Sequence, residues 1–295
     1  MATPPLKNIT IIGSGLMGSG IAQVAAQAKH SVILVDQTEE ILHKSEKSIQ
    51  KSLERVAKKK FTDPQAGTSM VQETLKNIKF STAIGDAVKN ANLVIEAVTE
   101  NLGLKQKLLR EIERSCSPDA ILASNTSSFS LKEISKDSKY AQNFAGLHFF
   151  NPVPMMKLVE VVRTDMTKQT VYDQLMEFAK GVGKVPVACK DTPGFIVNRL
   201  LVPYMFEALR MVERGDATIK DVDAAMKLGA GYPMGPFELA DYVGLDTMKF
   251  ILDGWHASYP NEVLFKPSPY LDKLVSEGKL GKKSGEGFYE YTGKK

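Results

Sequence analysis

The chain has 295 residues, of which 43% are hydrophobic and 24% charged, with 38 basic against 34 acidic side chains. That length suits two domains of ordinary size, and so apolar a chain can build its core without disulfides or metal. A net charge of +4 does not imply nucleic acid, and the two cysteines, Cys116 and Cys189, match no disulfide scaffold or ligand spacing. No apolar run approaches the roughly 20 residues that span a bilayer.

The segment Met1 to Lys7 shows no signal- or transit-peptide pattern and leads directly into an apolar run, Asn8 to Ile12. A glycine turn follows. Leu16 to Ala28 is rich in Ala, Ile, Val and Gln, contains no proline, and predicts a helix. Ser31 to Val35 is a second apolar run and closes on Asp36. Together these make a β-α-β unit of the size a parallel crossover needs.

Gly13-Ser14-Gly15-Leu16-Met17-Gly18 therefore stands where a dinucleotide-binding turn would stand. The first glycine makes the turn, the second admits the pyrophosphate, and the third lets helix and strand pack closely. The pyrophosphate charge would meet the helix N-terminus. A carboxylate at Asp36 would accept the ribose hydroxyls and repel a 2′-phosphate, which favours NAD over NADP.

Thr38 to Lys60 has apolar residues at Ile41, Leu42, Ile49, Leu53 and Val56, a stripe at helical spacing. The segment is strongly charged and ends in Lys58, Lys59 and Lys60. Composition favours a solvated, well-capped helix. The alternative is an arm, about residues 38–75, that offers cations to a phosphorylated ligand.

Further buried-strand runs follow at Leu93 to Val98, Ala120 to Ser124, Phe144 to Phe150, Leu158 to Val162 and Val185 to Ala188. The helical stretch Leu104 to Arg114 separates the first two. Alternation of this kind predicts a mainly parallel, Rossmann-like α/β sheet covered on both faces. The gap from Phe150 to Leu158 is too short for a helical crossover, so the last strands should be antiparallel or mixed.

Two polar groups interrupt these runs. Ser124-Asn-Thr-Ser127-Ser128 follows a strand and suits either a ligand crevice or a helix cap. His148 ends an apolar strand between aromatics, which alone would suit a core histidine. Glu160, in the middle of Leu158-Val-Glu160-Val-Val, changes that reading, because a carboxylate there needs a partner or solvent. A turn over Asn151 to Pro154 would bring His148 and Glu160 together as a base and its orienting carboxylate.

Asp191-Thr-Pro-Gly-Phe is a breaker cluster, and only helical patterns follow it. Ile196 to Val212 closes at Gly215, Thr218 is placed to cap the next helix, and Gly229 to Pro236 is a loop. The expected division is 1–190 and 191–295, the second part all-α with apolar surface for a homodimer.

Taken together, these blocks resemble the mitochondrial, monofunctional L-3-hydroxyacyl-CoA dehydrogenases of fatty-acid β-oxidation. The resemblance runs from the glycine turn through Val35-Asp36-Gln37-Thr38, Ser124-Asn-Thr-Ser-Ser128 and His148-Phe-Phe-Asn-Pro-Val-Pro154. It continues through Asp191-Thr-Pro-Gly-Phe-Ile-Val-Asn-Arg199 and Gly229-Ala-Gly-Tyr-Pro-Met-Gly-Pro236 to Lys282-Lys-Ser-Gly-Glu-Gly-Phe-Tyr289. It implies NAD as cofactor, an acyl-CoA substrate, a homodimer through the helical domain, and the mitochondrial matrix as location. It implies no metal, no nucleic acid and no membrane span.

It also implies roles. His148 would be the general base oriented by Glu160. Ser127 and Asn198 would bond the reacting oxygen, and Asn151 would order the same site. Asp36, Glu100, Lys105, Ser127 and Lys283 would serve the cofactor with the glycine turn, Gly13 to Gly18. Ser52, Lys59 and Ser127 would contact coenzyme A, and the helical domain would close on an Asp191-to-Gly194 hinge. Other readings are a related two-domain hydroxy-acid dehydrogenase and a non-catalytic NAD-binding structural or sensor protein.

Overall fold

The computed structural model describes residues 6–291, so the Met1-to-Pro5 lead-in lies outside the described residues. The chain divides into two compact units, Met1–Phe195 and Ile196–Lys295. The Asp191-to-Gly194 breaker segment stays with the first unit.

The first unit is built on an eight-stranded sheet. Its strands are β1 (Asn8–Ile12), β2 (Ser31–Val35), β3 (Ile78–Ser81), β4 (Leu93–Glu96), β5 (Ile121–Ser124), β6 (Phe144–Phe149), β7 (Leu158–Arg163) and β8 (Val185–Lys190). Their order is β3-β2-β1-β4-β5-β6-β7-β8. All neighbours pair parallel except β6 and β7. The one antiparallel pair is where the connection is too short for a helix. After it β8 returns to parallel because α7 (Gln169–Gly181) supplies the crossover.

The central strands are buried on both faces because they are almost wholly aliphatic, and each fully buried Ile, Leu or Val contributes about 1.5–3 kcal/mol. The sheet reverses its order between β1 and β4. In such sheets ligands bind outside the carboxyl ends of the strands at that point.

Helix α1 (Leu16–Gln27) follows β1 and buries nine consecutive residues, Gly18 to Ala26. That many buried positions need small side chains, and Gly18, Gly20, Ala22, Ala25 and Ala26 supply them. Helix α2 (Glu39–Lys60) starts at Thr38, whose hydroxyl accepts the Ile41 N–H at 3.3 Å. Glu39 and Glu40 lie in its first turn and Lys58 to Lys60 in its last, which complements the helix dipole at both ends.

The buried stripe of α2 is Leu42, Ser45, Ile49, Leu53 and Ala57. This corrects the expected register, since Ile41 is exposed and Val56 only half-buried. Helix α3 (Pro64–Lys76), capped by Asp63, packs with α2, so the arm is a helical pair and not a lone helix. Strand β3 was not expected from the sequence. It is a four-residue edge strand with Lys79 inside it, too short and too polar to stand out.

Between β3 and β6 lie α4 (Ile84–Val88), α5 (Leu102–Ile112) and α6 (Leu131–Ile134). The second unit is all-helical: α8 (Val197–Glu213), α9 (Ile219–Gly229), α10 (Pro236–Val243), α11 (Leu245–Ser258) and α12 (Pro269–Ser276). Its core gathers Phe206, Leu209, Phe237, Leu245, Leu252 and Trp255. Two buried aspartates fasten its tail. Asp241 accepts the Phe288 and Tyr289 N–H groups, and Asp223 accepts the Tyr289 hydroxyl at 2.7 Å.

Candidate active site

The glycine turn shows what each glycine is for. Gly13 sits at φ +99°, and a Cβ there would meet the Ala97 carbonyl at 2.6 Å. At Gly18 a Cβ would lie 1.7 Å from the Gly13 carbonyl oxygen, which fixes α1 against β1. At Gly15 a Cβ would meet nothing within 4 Å. The wall is open only where a ligand's phosphates would approach, and Gly15 is the N-cap of α1.

Leu16 beside it is exposed and Met17 packs on the core. Gly13, Gly15, Asp36, Gln37, Val98 and Leu104 are among the walls of a cleft of about 580 Å³ at the carboxyl ends of the strands. Asp36 does two things there. Its Oδ2 accepts the Ser14 N–H at 2.7 Å and the Ser14 hydroxyl at 2.8 Å, and its Oδ1 accepts the Gln37 N–H at 2.8 Å. It thus braces the turn while presenting a carboxylate to the cleft. These groups fit a dinucleotide without a 2′-phosphate.

At the ends of β4 and β5 the polar groups form one network. Glu100 accepts from the Ser127 N–H at 2.6 Å, the Ser127 hydroxyl at 3.0 Å and the Thr126 hydroxyl at 3.0 Å. The Lys105 ammonium lies 3.4 Å from Glu100 and 2.7 Å from Glu96, its side chain 1% exposed. Lys105 therefore acts on the crevice through the two carboxylates, from beneath.

Farther along the sheet, β6 and β7 pair in the register His148↔Glu160. Directly opposite residues on antiparallel strands share a face. The His148 Nδ1 lies 2.7 Å from the Glu160 Oε2, and the two side chains are 6% and 0% exposed. The imidazole packs between the rings of Phe150 at 4.5 Å and Phe195 at 5.6 Å.

Ser124 pairs with Gly146 in the β5–β6 register, so His148 lies beyond the end of β5, level with the Ser127-bearing loop. That loop is tied to β6 by the Asn125 Oδ1, which accepts the Phe149 N–H at 2.9 Å. Asn151 is exposed on the turn that follows. The buried Lys184 holds this turn by donating to the Val153 and Met156 carbonyls. Burial pushes its ammonium below the usual lysine range.

Ser52 and Lys59 lie on α2, half-buried and exposed respectively. Asn198 lies in the first turn of α8, and Lys283 pairs with Asp246 at 2.5 Å, both within the second unit. Among the described residues no cluster of His, Cys, Asp or Glu could hold a metal, and no helix is long and apolar enough to cross a membrane.

Residues 8–192 match the profile of the 3-hydroxyacyl-CoA dehydrogenase NAD-binding domain, and residues 194–291 match that family's C-terminal domain. The chain belongs to the 3-hydroxyacyl-CoA dehydrogenase family. It is 59% identical to mouse and 58% identical to human mitochondrial hydroxyacyl-coenzyme A dehydrogenase, over 97% of this chain and 91% of each relative. The structure of (S)-3-hydroxybutyryl-CoA dehydrogenase from Ralstonia eutropha superposes with a TM-score of 0.92 at 37% identity, covering 98% of this chain and all of that one. The glycine turn and its cleft thus lie within the NAD-binding domain of a 3-hydroxyacyl-CoA dehydrogenase.

Two further features of this 3-hydroxyacyl-CoA dehydrogenase do not follow from its sequence patterns: the anchoring role of Glu96 and the capping role of Asp191. Glu96 lies inside the apolar run Leu93 to Val98, the same signal that singled out Glu160. Asp191 accepts from the Ser130 hydroxyl and from the Leu131 and Lys132 N–H groups, at 2.8–2.9 Å. It caps α6 from the breaker segment. No local pattern announces a cap supplied from so far along the chain.

Proposed function

We propose that the protein oxidises an L-3-hydroxyacyl-CoA to the 3-ketoacyl-CoA, with His148 as the general base. The buried contact between the His148 Nδ1 and Glu160 carries this reading. A carboxylate only accepts, so Nδ1 holds the ring proton and the Nε2 lone pair is the basic atom. NAD, when bound, accepts the hydride that leaves C3. His148 takes the hydroxyl proton, and the charge gained on its ring lies against Glu160 in a water-poor setting, where it is worth more than in solvent.

Ser127 lies level with His148 and is assigned to the reacting oxygen, with Asn151 ordering the turn that follows the base. Asp36 and the open face at Gly15 receive the ribose and pyrophosphate. Ser52 and Lys59 on α2 receive the nucleotide part of coenzyme A. Asn198 and Lys283, on the second unit, keep the roles that the resemblance implies.

The second unit exposes Leu200, Leu228, Phe250 and Val263, more apolar surface than a lone helical unit needs, which supports a homodimer. The mitochondrial relatives support placement in the mitochondrial matrix. The test of the reaction is NADH formation from L-3-hydroxybutyryl-CoA and a longer-chain homologue side by side. No NADH from either would sink it.

A further inference from the structure

Glu96 lies at the carboxyl end of β4, nearly buried, and both its oxygens are occupied. Oε1 accepts from the Lys105 ammonium at 2.7 Å and from the Val98 N–H at 2.8 Å, and Oε2 accepts from the Ser124 hydroxyl at 2.6 Å. Lys105 in turn reaches Glu100 at 3.4 Å, and Glu100 accepts both the N–H and the hydroxyl of Ser127. Every partner of the two carboxylates is a donor. The group is therefore one cation between two anions, with one net negative charge, at the crevice ends of β4 and β5.

A buried ammonium costs several kcal/mol unless paired. Glu96 provides the closer pairing, so it sets where Lys105 sits. Lys105 cannot then neutralise Glu100 fully, and Glu100 keeps charge facing the Ser127 loop.

We propose that Glu96 is a positioning residue for the oxidised cofactor: by holding Lys105, it keeps a net negative cluster beneath the nicotinamide ring. The inference rests on the reading that Ser127 lies at the reacting oxygen, because hydride transfer requires the ring beside that oxygen's carbon. The oxidised ring carries a positive charge and the reduced ring does not. A net negative cluster at that end of the crevice would therefore favour NAD+ and leave NADH nearly unaffected.

The test compares dissociation constants, with NADH measured by its fluorescence and NAD+ by competition. Glu96→Gln makes the cluster neutral and should raise the NAD+ constant about tenfold relative to the NADH constant. Glu96→Gln/Lys105→Met removes one charge of each sign and restores the net negative charge. It should return the ratio to within about threefold of wild type, and replacing both partners of a buried pair is usually tolerated by the fold.

If Glu96→Gln does not fold, Lys105→Met decides, because it leaves both carboxylates and takes the cluster to two net negative charges. The NAD+ constant should then fall severalfold relative to the NADH constant, and an unchanged ratio overturns the inference. An unchanged ratio in a folded Glu96→Gln variant also overturns it. Turnover does not enter, so failure of the acyl-CoA reading would show in the activity assay and not here.

Discussion

His148 and Glu160 face each other across the only antiparallel step of the sheet, with 2.7 Å between the Nδ1 and the carboxylate. The short turn between β6 and β7 makes that step, and the register sets the pair. The contact between the imidazole and the carboxylate is therefore a consequence of strand pairing.

Exchanging either member separates their roles. His148→Gln removes the base and should lower kcat by about 10²- to 10⁴-fold while NAD still binds. Glu160→Gln keeps a hydrogen-bond acceptor but no charge, so it should lower kcat less and also lower the melting temperature. Steady-state kinetics and thermal melting check both. Equal kcat for His148→Gln and wild type would remove the base assignment.

Asp36 braces the glycine turn, and one variant tests this together with its proposed role in cofactor selection. Asp36→Ala deprives the Ser14 N–H and hydroxyl of their acceptor and removes the charge facing the cleft. NAD affinity should fall about tenfold or more, and discrimination against NADP should relax. Titration with both cofactors measures it. An unchanged NAD-to-NADP preference would contradict the ribose assignment.

The lysines that close α2 carry the coenzyme A assignment. Lys59→Ala should raise KM for an acyl-CoA severalfold and leave KM for the acyl-pantetheine analogue, which lacks the nucleotide, nearly unchanged. Equal effects on the two substrates would return the end of α2 to a solvated helix terminus.

Cys189 reports on its surroundings. Burial, and then the charge of Glu160, push its thiol up to about 12 from an ordinary value of 9.0. A raised thiol value means that the folded state keeps its proton longer than the unfolded chain. Its contribution to stability is thus complete below pH 9 and is lost as pH rises toward 12. At neutral pH the native enzyme should resist thiol reagents and keep its activity, with Cys189 labelled only after denaturation. Rapid native labelling at Cys189 would contradict the buried, anionic setting of Glu160.

The sequence made the pair legible because Glu160 stands alone among aliphatic residues, where a carboxylate must have a partner. The glycine turn was legible because three glycines between a strand and a helix leave few other uses. Glu96 carries the same signal as Glu160, but its partner is hidden, because Lys105 lies on a helix whose buried face resembles a solvated one in sequence. Strand β3 was missed because an edge strand of Ile-Lys-Phe-Ser has too few apolar residues for a run. Asp223 and Asp241 were not legible, since their partners are backbone N–H groups and tyrosines set by tertiary folding.

The most direct measurement is NADH absorbance on mixing the enzyme with NAD and L-3-hydroxybutyryl-CoA, beside His148→Gln. The wild type should form NADH with the L-enantiomer and not with the D-enantiomer, and the variant should be slower by at least about a hundredfold. No NADH from the wild type, or a variant as fast as the wild type, would contradict the account.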